Sequence, residues 1–308
     1  MLTEAVLRHH QAYYAGDRSE WQRTARLLQS LWRQSRGLPP GGEESYHGSY
    51  LPDTDEVRHS GDAYICDDAK AAVRRAVADK QRGAVMQPTR LWSNLLSSQP
   101  LCFNLFGPLS EHVDDPRISR ALARVWPDIA TVTSIRYEWS PGRNDPRFLG
   151  NGTAFDVYVE FVATDGSARF LGIEVKYHED LAVKPPTVGG RPRQVFEQSG
   201  AFRPGSFERM STGATAQLLL DHLLALSMNL SPGSERTGRF VLLYPDKNDK
   251  VAEVVEAYAP DVVDDTFAPT TLESVVAALR DEYAGPWIDE LDQRYLDTSA
   301  LARLDQDR

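Results

Sequence analysis

Two strand-like segments near the middle of the chain carry charged side chains at alternate positions. In Phe155–Phe161 and Phe170–Tyr177 the odd-numbered positions are apolar. Polar residues at the even-numbered positions are Asp156, Tyr158, Glu160, Glu174 and Lys176. Because alternate side chains of a β-strand face opposite sides, each strand would bury one face and present its charges on the other. Carboxylates and a lysine on one sheet face could hold a divalent metal ion and assist phosphodiester hydrolysis.

The loop between these segments decides whether the carboxylates meet. It ends in Gly166, which fits a three-residue hairpin loop with the glycine in the left-handed conformation. That loop would set Asp156 opposite Glu174, so that both acids share a face. A two-residue Asp-Gly loop would set Val157 opposite Glu174 and separate the acids. The alternative without a functional site is an edge hairpin whose polar face is solvated.

The spacing of the charged residues resembles a known family. Asp156 followed by Glu174-Val175-Lys176 is similar to the motif of the PD-(D/E)XK nuclease superfamily, although Phe155 stands in place of the motif's proline. Phe103–Leu109 and Gly172–Tyr177 together resemble a group of bacterial restriction-endonuclease-like proteins. The resemblance implies an α/β fold with a restriction-endonuclease-like core, a mixed sheet flanked by helices in the order α-β-β-β-α-β.

The resemblance also implies roles for individual residues. Asp156, Glu174 and the Val175 carbonyl would bind Mg²⁺ or Mn²⁺, and Lys176 would be the catalytic lysine. Gln217, on the helix after the motif, would lie near the attacking water or the substrate. The chain would then be a metal-dependent nuclease acting on double-stranded DNA, in restriction, defence or DNA processing. The alternative is a catalytically degenerate module of the same fold that binds nucleic acid or a partner protein.

Each of the remaining candidate site residues could be functional or could have a purely structural role. Glu138, at a strand end, is either an additional metal ligand or a surface residue. Gln217 is either functional or a polar start to a Leu-rich buried helix. The arginines in two loop regions either bind a nucleic-acid backbone, for which the planar guanidinium is well suited, or are solvated. These arginines are Arg143, Arg147, Arg191 and Arg193.

The order of periodic segments predicts three parts. Residues 1–60 would form an N-terminal helical arm and linker, ending in a Gly/Pro-rich and polar stretch. Residues 61–258 would form the nuclease-like domain, with helices, three strands, a helix over 212–229 and a strand over 239–244. Residues 259–308 would be a C-terminal helical extension packed on the core. Whether the N-terminal helices pack on the body or form an oligomer surface stays open.

Composition limits the remaining choices. The 308 residues are 41% hydrophobic and 25% charged, with a net charge of −10. This charge argues against a general nucleic-acid coating protein, but not against an enzyme with one local basic groove. The two cysteines have no metal-binding spacing. No stretch is long and apolar enough for a membrane span, so we expect a cytoplasmic protein. A homo-oligomer and an activating partner protein stay open.

Overall fold

The computed structural model describes residues 2–181, 188–233, 236–299 and 301, so the last residues of the predicted C-terminal extension lie outside it. Seven helices precede the first strand and six are interspersed with or follow the later strands in this described part. They are α1 (Glu4–His9), α2 (Glu20–Ser35), α3 (Asp55–Ser60), α4 (Asp67–Ala78), α5 (Pro88–Trp92), α6 (Ser98–Glu111), α7 (Pro116–Val125), α8 (Arg191–Ser199), α9 (Phe207–Met210), α10 (Thr215–Asn229), α11 (Asp249–Tyr258), α12 (Leu272–Glu282) and α13 (Pro286–Tyr295).

The strands form one mixed sheet whose spatial order follows the chain. The first two pairings are antiparallel and the last two are parallel. The strands are β1 (Ile129–Trp139), β2 (Phe155–Ala163), β3 (Ala168–Val175), β4 (Thr237–Tyr244) and β5 (Phe267–Thr271). The order from α7 through β1, β2, β3, α10 and β4 confirms the predicted α-β-β-β-α-β arrangement of an α/β fold. The sequence predicts a helical C-terminal extension, but this part of the chain also contains strand β5.

The hairpin between β2 and β3 has the three-residue loop. Ala163 donates its backbone N–H to Ser167 O at 2.8 Å, and Gly166 has φ +82°. In the same register Val157 faces Ile173. The next pair toward the sheet end is therefore Asp156 with Glu174, as the loop chemistry predicted.

Alternation along the strands creates two cores, one on each side of the sheet. Odd-numbered residues such as Val159 and Ile173 pack with α2, α4, α6, α7, α12 and α13. Tyr158, Phe170 and Phe240, at even positions, pack with α8, α10 and α11. Helices thus pack on both faces of the sheet.

The segment Phe103–Leu109, which contributed to the resemblance, has a structural role in α6. The buried Asn104 accepts from the Ile65 N–H at 3.0 Å and donates to Tyr295 Oη at 2.9 Å. A Cβ at Gly107 would lie 2.8 Å from Ala69 Cα, so only glycine lets α4 approach α6 this closely. The segment fixes α6, whose first turn reaches the site.

Helices from all three predicted parts share the core on the odd face. Trp21 and Trp32 of α2 and Leu291 of α13 belong to the same buried cluster as the odd-numbered strand residues. The division at residues 60 and 258 stays a prediction, and in the described residues the N-terminal helix α2 packs on the body. Among these helices, none is both long and apolar enough to cross a bilayer.

Candidate active site

Asp156 lies at the start of β2, beside the end of β3. Its Oδ2 accepts a hydrogen bond from the Val175 N–H at 2.9 Å. The side chain is crowded by protein yet partly open to solvent. Burial and the nearby charge of Glu174 raise the pKa of Asp156 well above 3.8, although Lys176 and the Val175 N–H oppose this. Burial and the neighbouring acids therefore favour the protonated, neutral form of this carboxyl group.

Glu174 and Lys176 stand together on the face that Asp156 shares. Lys176 Nζ lies 2.6 Å from Glu174 Oε1, and both side chains are buried. Gln217 Nε2, from the first turn of α10, donates to the same oxygen at 3.0 Å. Burial alone would lower the pKa of Lys176, but the charges of Glu174 and Asp156 raise it. The two acids therefore favour the protonated form of the lysine.

Glu138 reaches the same region from the end of β1. Its φ of +46° is unusual for a residue with a side chain and turns the strand end. Gln99 Nε2 of α6 donates to Glu138 Oε1 at 3.2 Å. Burial and the charge of Glu174 raise the pKa of Glu138 above its ordinary value. Three acids predicted from sequence are thus within electrostatic range of one another.

A fourth carboxyl group joins them from α10. Asp221 lies one turn after Gln217, is 5% exposed, and its Oδ2 has no hydrogen-bond partner in the described residues. Burial and then Glu174 raise the pKa of Asp221 well above 3.8, with Lys176 opposing. The four acids are called the carboxylate cluster below. They are Glu138, Asp156, Glu174 and Asp221.

A family model described as the PD-(D/E)XK nuclease superfamily matches residues 15–297. The chain belongs to this superfamily. No curated protein matches the chain, and no solved structure matches it. The match spans α2 through α13 and therefore includes both cores and the site. Membership in the superfamily indicates a nuclease-type function without specifying a substrate.

As a superfamily member, the chain places the motif acids and the lysine together at the sheet end. Asp156 lies on β2, Glu174 and Val175 end β3, and Lys176 follows, with its N–H bonded to Leu243 O at 2.9 Å. Phe155, in place of the motif's proline, is fully buried. Its ring would clash at 2.4 Å with a Cβ at Gly172, so these two residues fit each other across the hairpin.

Glu179 is a further, half-buried acid near the site, three residues after Lys176. Its Oε1 accepts from the Ser98 N–H, in the first turn of α6, at 3.1 Å. Its Oε2 accepts from the Tyr177 N–H at 3.2 Å. Burial would raise the pKa of Glu179, but Lys176 and the Ser98 N–H lower it. Glu179 therefore ties the chain after Lys176 to α6.

Helix α2 holds the same segment from the other side. Asp17 forms a buried bidentate pair with Arg26, at 2.6 and 2.8 Å, and its Oδ1 lies 3.1 Å from His178 Nε2. Trp21 Nε1 donates to Tyr177 O at 2.7 Å. Asp17, Trp21, Arg26 and His178 are called the α2 network. Ser19, not Asp17, caps the helix, leaving Asp17 available for Arg26.

The four arginines predicted to bind nucleic acid differ in their surroundings. Arg143 is buried and donates to Glu138 O at 2.7 Å and Gly152 O at 2.9 Å. Arg191 donates to Phe148 O at 3.1 Å. Arg147 is 78% exposed beside Asp145, and Arg193 pairs with Glu197 and Glu208. Arg143 and Arg191 thus brace the β1–β2 loop, and a nucleic-acid role for the four stays a prediction.

The carboxylate cluster has the donor chemistry that Mg²⁺ and Mn²⁺ prefer. Mg²⁺ usually takes only one or two carboxylates from the protein and completes its shell with water and phosphate oxygens. In the described residues, no group of three His, Cys, Asp or Glu side chains already lies together in a metal-binding arrangement. Glu174 Oε1 is engaged by Lys176 and Gln217. The mutual repulsion among the acids and the unpartnered Asp221 Oδ2 nevertheless fit a bound cation.

Proposed function

We propose that the chain is a divalent-metal-dependent nuclease that hydrolyses phosphodiester bonds in double-stranded DNA. The observation that carries the proposal is the register that sets Asp156 opposite Glu174 across the hairpin, with Lys176 paired to Glu174 at 2.6 Å. Superfamily membership supports phosphodiester chemistry. A role in restriction, defence or DNA processing, and a cytoplasmic location, belong to the proposal rather than to the findings.

Each residue of the site has its own role in the proposed hydrolysis. Asp156, Glu174 and the Val175 carbonyl would hold Mg²⁺ or Mn²⁺, with Glu138 as a further ligand. When bound, the ion supplies Lewis-acid activation of water and neutralises phosphate charge. Lys176 keeps its proton and places a positive charge where negative charge develops on the phosphate. Gln217 orients the Glu174 carboxylate through the 3.0 Å hydrogen bond.

A cleavage assay tests this assignment. Supercoiled plasmid and linear duplex DNA are incubated with the protein in Mg²⁺, Mn²⁺ or EDTA. Asp156→Asn and Lys176→Met preserve side-chain size while removing the charge. We expect each to lower the cleavage rate at least about 100-fold, the scale of losing one preorganised charge-stabilising group. Asp265→Asn and Lys80→Met make the same changes at exposed positions and should cleave like wild type.

The outcomes separate the nuclease from the degenerate module. Cleavage that stops in EDTA and in both site variants supports the proposal. Equal cleavage by wild type and both site variants contradicts it. If folded wild type cleaves neither DNA form under any condition, the degenerate nucleic-acid- or partner-binding module becomes the better account. The DNA form that is cut first separates endonuclease from exonuclease action.

A further inference from the structure

An open groove lies on the same side of the sheet as the site. Its volume is about 410 Å³, and its walls include edge strand β1, its neighbour β2, the β1–β2 loop and the end of α10. Helix α10 packs over β3 and β4, which leaves this part of the β1–β2 face open. The residues that matter are called the arginine groove. They are Arg136, Trp139, Tyr158, Glu160 and Arg236.

Arg136 is held in place within the groove. Its Nη2 donates to Glu160 Oε2 at 2.6 Å and its Nε to Ser134 Oγ at 3.3 Å. Its guanidinium lies over Trp139 and Tyr158, 5.2 and 5.5 Å from their ring centres, and these rings stack at 3.8 Å. A guanidinium has five N–H donors, so donors remain for a ligand, and the side chain is 42% exposed.

Glu160 joins two arginines into one cationic array. Arg236 Nη1 lies 3.0 Å from Glu160 Oε1, and the Arg236 side chain is 49% exposed. Glu160 itself is buried, so the exposed surface of this array is guanidinium. Glu160 thus holds two partly exposed guanidinium groups side by side in the groove. A polyanion would be attracted to such a local patch.

The array lies at a fixed distance from the site. Asp156, Tyr158 and Glu160 occupy alternate positions on β2 and therefore share one face. Glu160 lies four positions after Asp156 along the strand, which corresponds to roughly 13 Å at about 3.3 Å per residue. In B-DNA one strand rises about 3.4 Å per nucleotide, so this span covers about four base pairs.

From this arrangement we infer that the arginine groove binds the DNA backbone about four base pairs from the phosphate that is cleaved. The ligand class is a duplex phosphate backbone, bound by the two guanidinium groups without reading bases. Guanidinium suits this ligand because its planar fork can bond two phosphate oxygens at once. Prior fixing of Arg136 lowers the entropy cost of binding. The inference rests on the proposed nuclease function.

Binding measured without cleavage tests the groove. Fluorescence anisotropy with a labelled 20-base-pair duplex, in Ca²⁺ instead of Mg²⁺, gives the affinity at several salt concentrations. We expect Arg136→Ala and Arg236→Ala each to weaken binding about tenfold and to lower the salt slope by about one. Arg136→Lys keeps the charge but loses the fork, and should lose part of the affinity. Arg124→Ala, at an exposed arginine on α7, should bind like wild type.

Glu160→Gln distinguishes a binding site from a structural ion-pair network. It removes the competing negative charge, so binding should tighten several-fold in the groove proposal. Unchanged affinity in Arg136→Ala and Arg236→Ala, or weaker binding in Glu160→Gln with an unchanged Tm, would overturn it. Failure of the nuclease proposal looks different: wild type would bind the duplex with the expected dependence on both arginines but would not cleave it in Mg²⁺ or Mn²⁺.

Discussion

Two buried charged regions adjoin the end of β3, and they are built in opposite ways. In the α2 network, Asp17 and Arg26 bond at two points, and His178 adds a third contact to the same carboxylate. Burial would raise the pKa of Asp17, but these hydrogen bonds lower it below its ordinary value. In the carboxylate cluster, burial and neighbouring acids raise the pKa of Asp156 and Asp221 instead.

The difference indicates which region is organised for stability and which for chemistry. A buried charged group whose hydrogen bonds are satisfied costs little folding free energy. A buried acid with an unpartnered oxygen costs considerably more. Carboxyl groups with strongly perturbed pKa values concentrate at functional sites. The α2 network therefore supports the chain that follows Lys176, and the carboxylate cluster retains an unfavourable arrangement that a bound cation would relieve.

The largest effect should come from breaking the α2 network. Arg26→Met leaves Asp17 buried without its main partner, and such a change costs about 3–5 kcal/mol of unfolding free energy. Urea unfolding of the purified protein measures it. Asp17→Asn/Arg26→Met removes both charges and should be less destabilised than Arg26→Met alone. A loss below about 1 kcal/mol in Arg26→Met would show that the pair does not hold α2 in place.

Divalent cations should stabilise the carboxylate cluster. An ion that binds only the folded state adds about 2.7 kcal/mol at 100 times its dissociation constant. Calorimetry in Ca²⁺ and in EDTA should therefore give wild type a higher Tm with the ion present. Asp156→Asn should lose most of this gain, while Asp265→Asn should keep it. An equal rise in Asp156→Asn would place the cation elsewhere.

Removing the unpartnered acid should stabilise the fold. Asp221→Asn deletes a buried charge that Glu174 repels, and a gain of about 1–2 kcal/mol is expected at neutral pH without metal. Asp261→Asn is the matched control, because Asp261 is equally buried but paired with Arg209 at 2.5 Å. That variant should lose stability. If both variants are destabilised alike, Asp221 is an ordinary structural residue.

The stability gained by Asp221→Asn should depend on pH. The folded-state pKa of Asp221 is raised above 3.8, so the unfolded chain gives up this proton first as the pH rises. Wild-type stability from this group therefore falls with rising pH, from near pH 4 up to the folded-state pKa. The advantage of the asparagine variant should be small at pH 4 and grow toward neutral pH. Urea unfolding across this range measures it.

The sequence predicted what depends on local chemistry. Gly166 determined the hairpin loop, the loop determined the register, and the register brought Asp156 to Glu174. The α2 network could not be predicted, because Asp17 and His178 are 161 positions apart and polar contacts at that separation leave no periodic pattern. β5 is a short edge strand that contains Pro269, which weakens its strand signal. Asp221 did leave a signal, as an acid inside a Leu-rich helix four residues after Gln217.

The smallest effects separate two arginines that sequence could not distinguish. Arg143 and Arg147 lie in one loop, but Arg143 is buried and bonded to two carbonyls, whereas Arg147 is exposed beside Asp145. Arg147→Ala should leave the Tm unchanged and weaken duplex binding only about twofold, since an exposed arginine contributes at most one screened phosphate contact. Arg143→Ala should lower the Tm, because it releases the loop and leaves the Glu138 carbonyl without its donor. A lowered Tm in Arg147→Ala and an unchanged Tm in Arg143→Ala would mean that other contacts hold the loop and that Arg147 is structural. Thermal unfolding and anisotropy of the two variants together therefore decide which arginine is available to DNA.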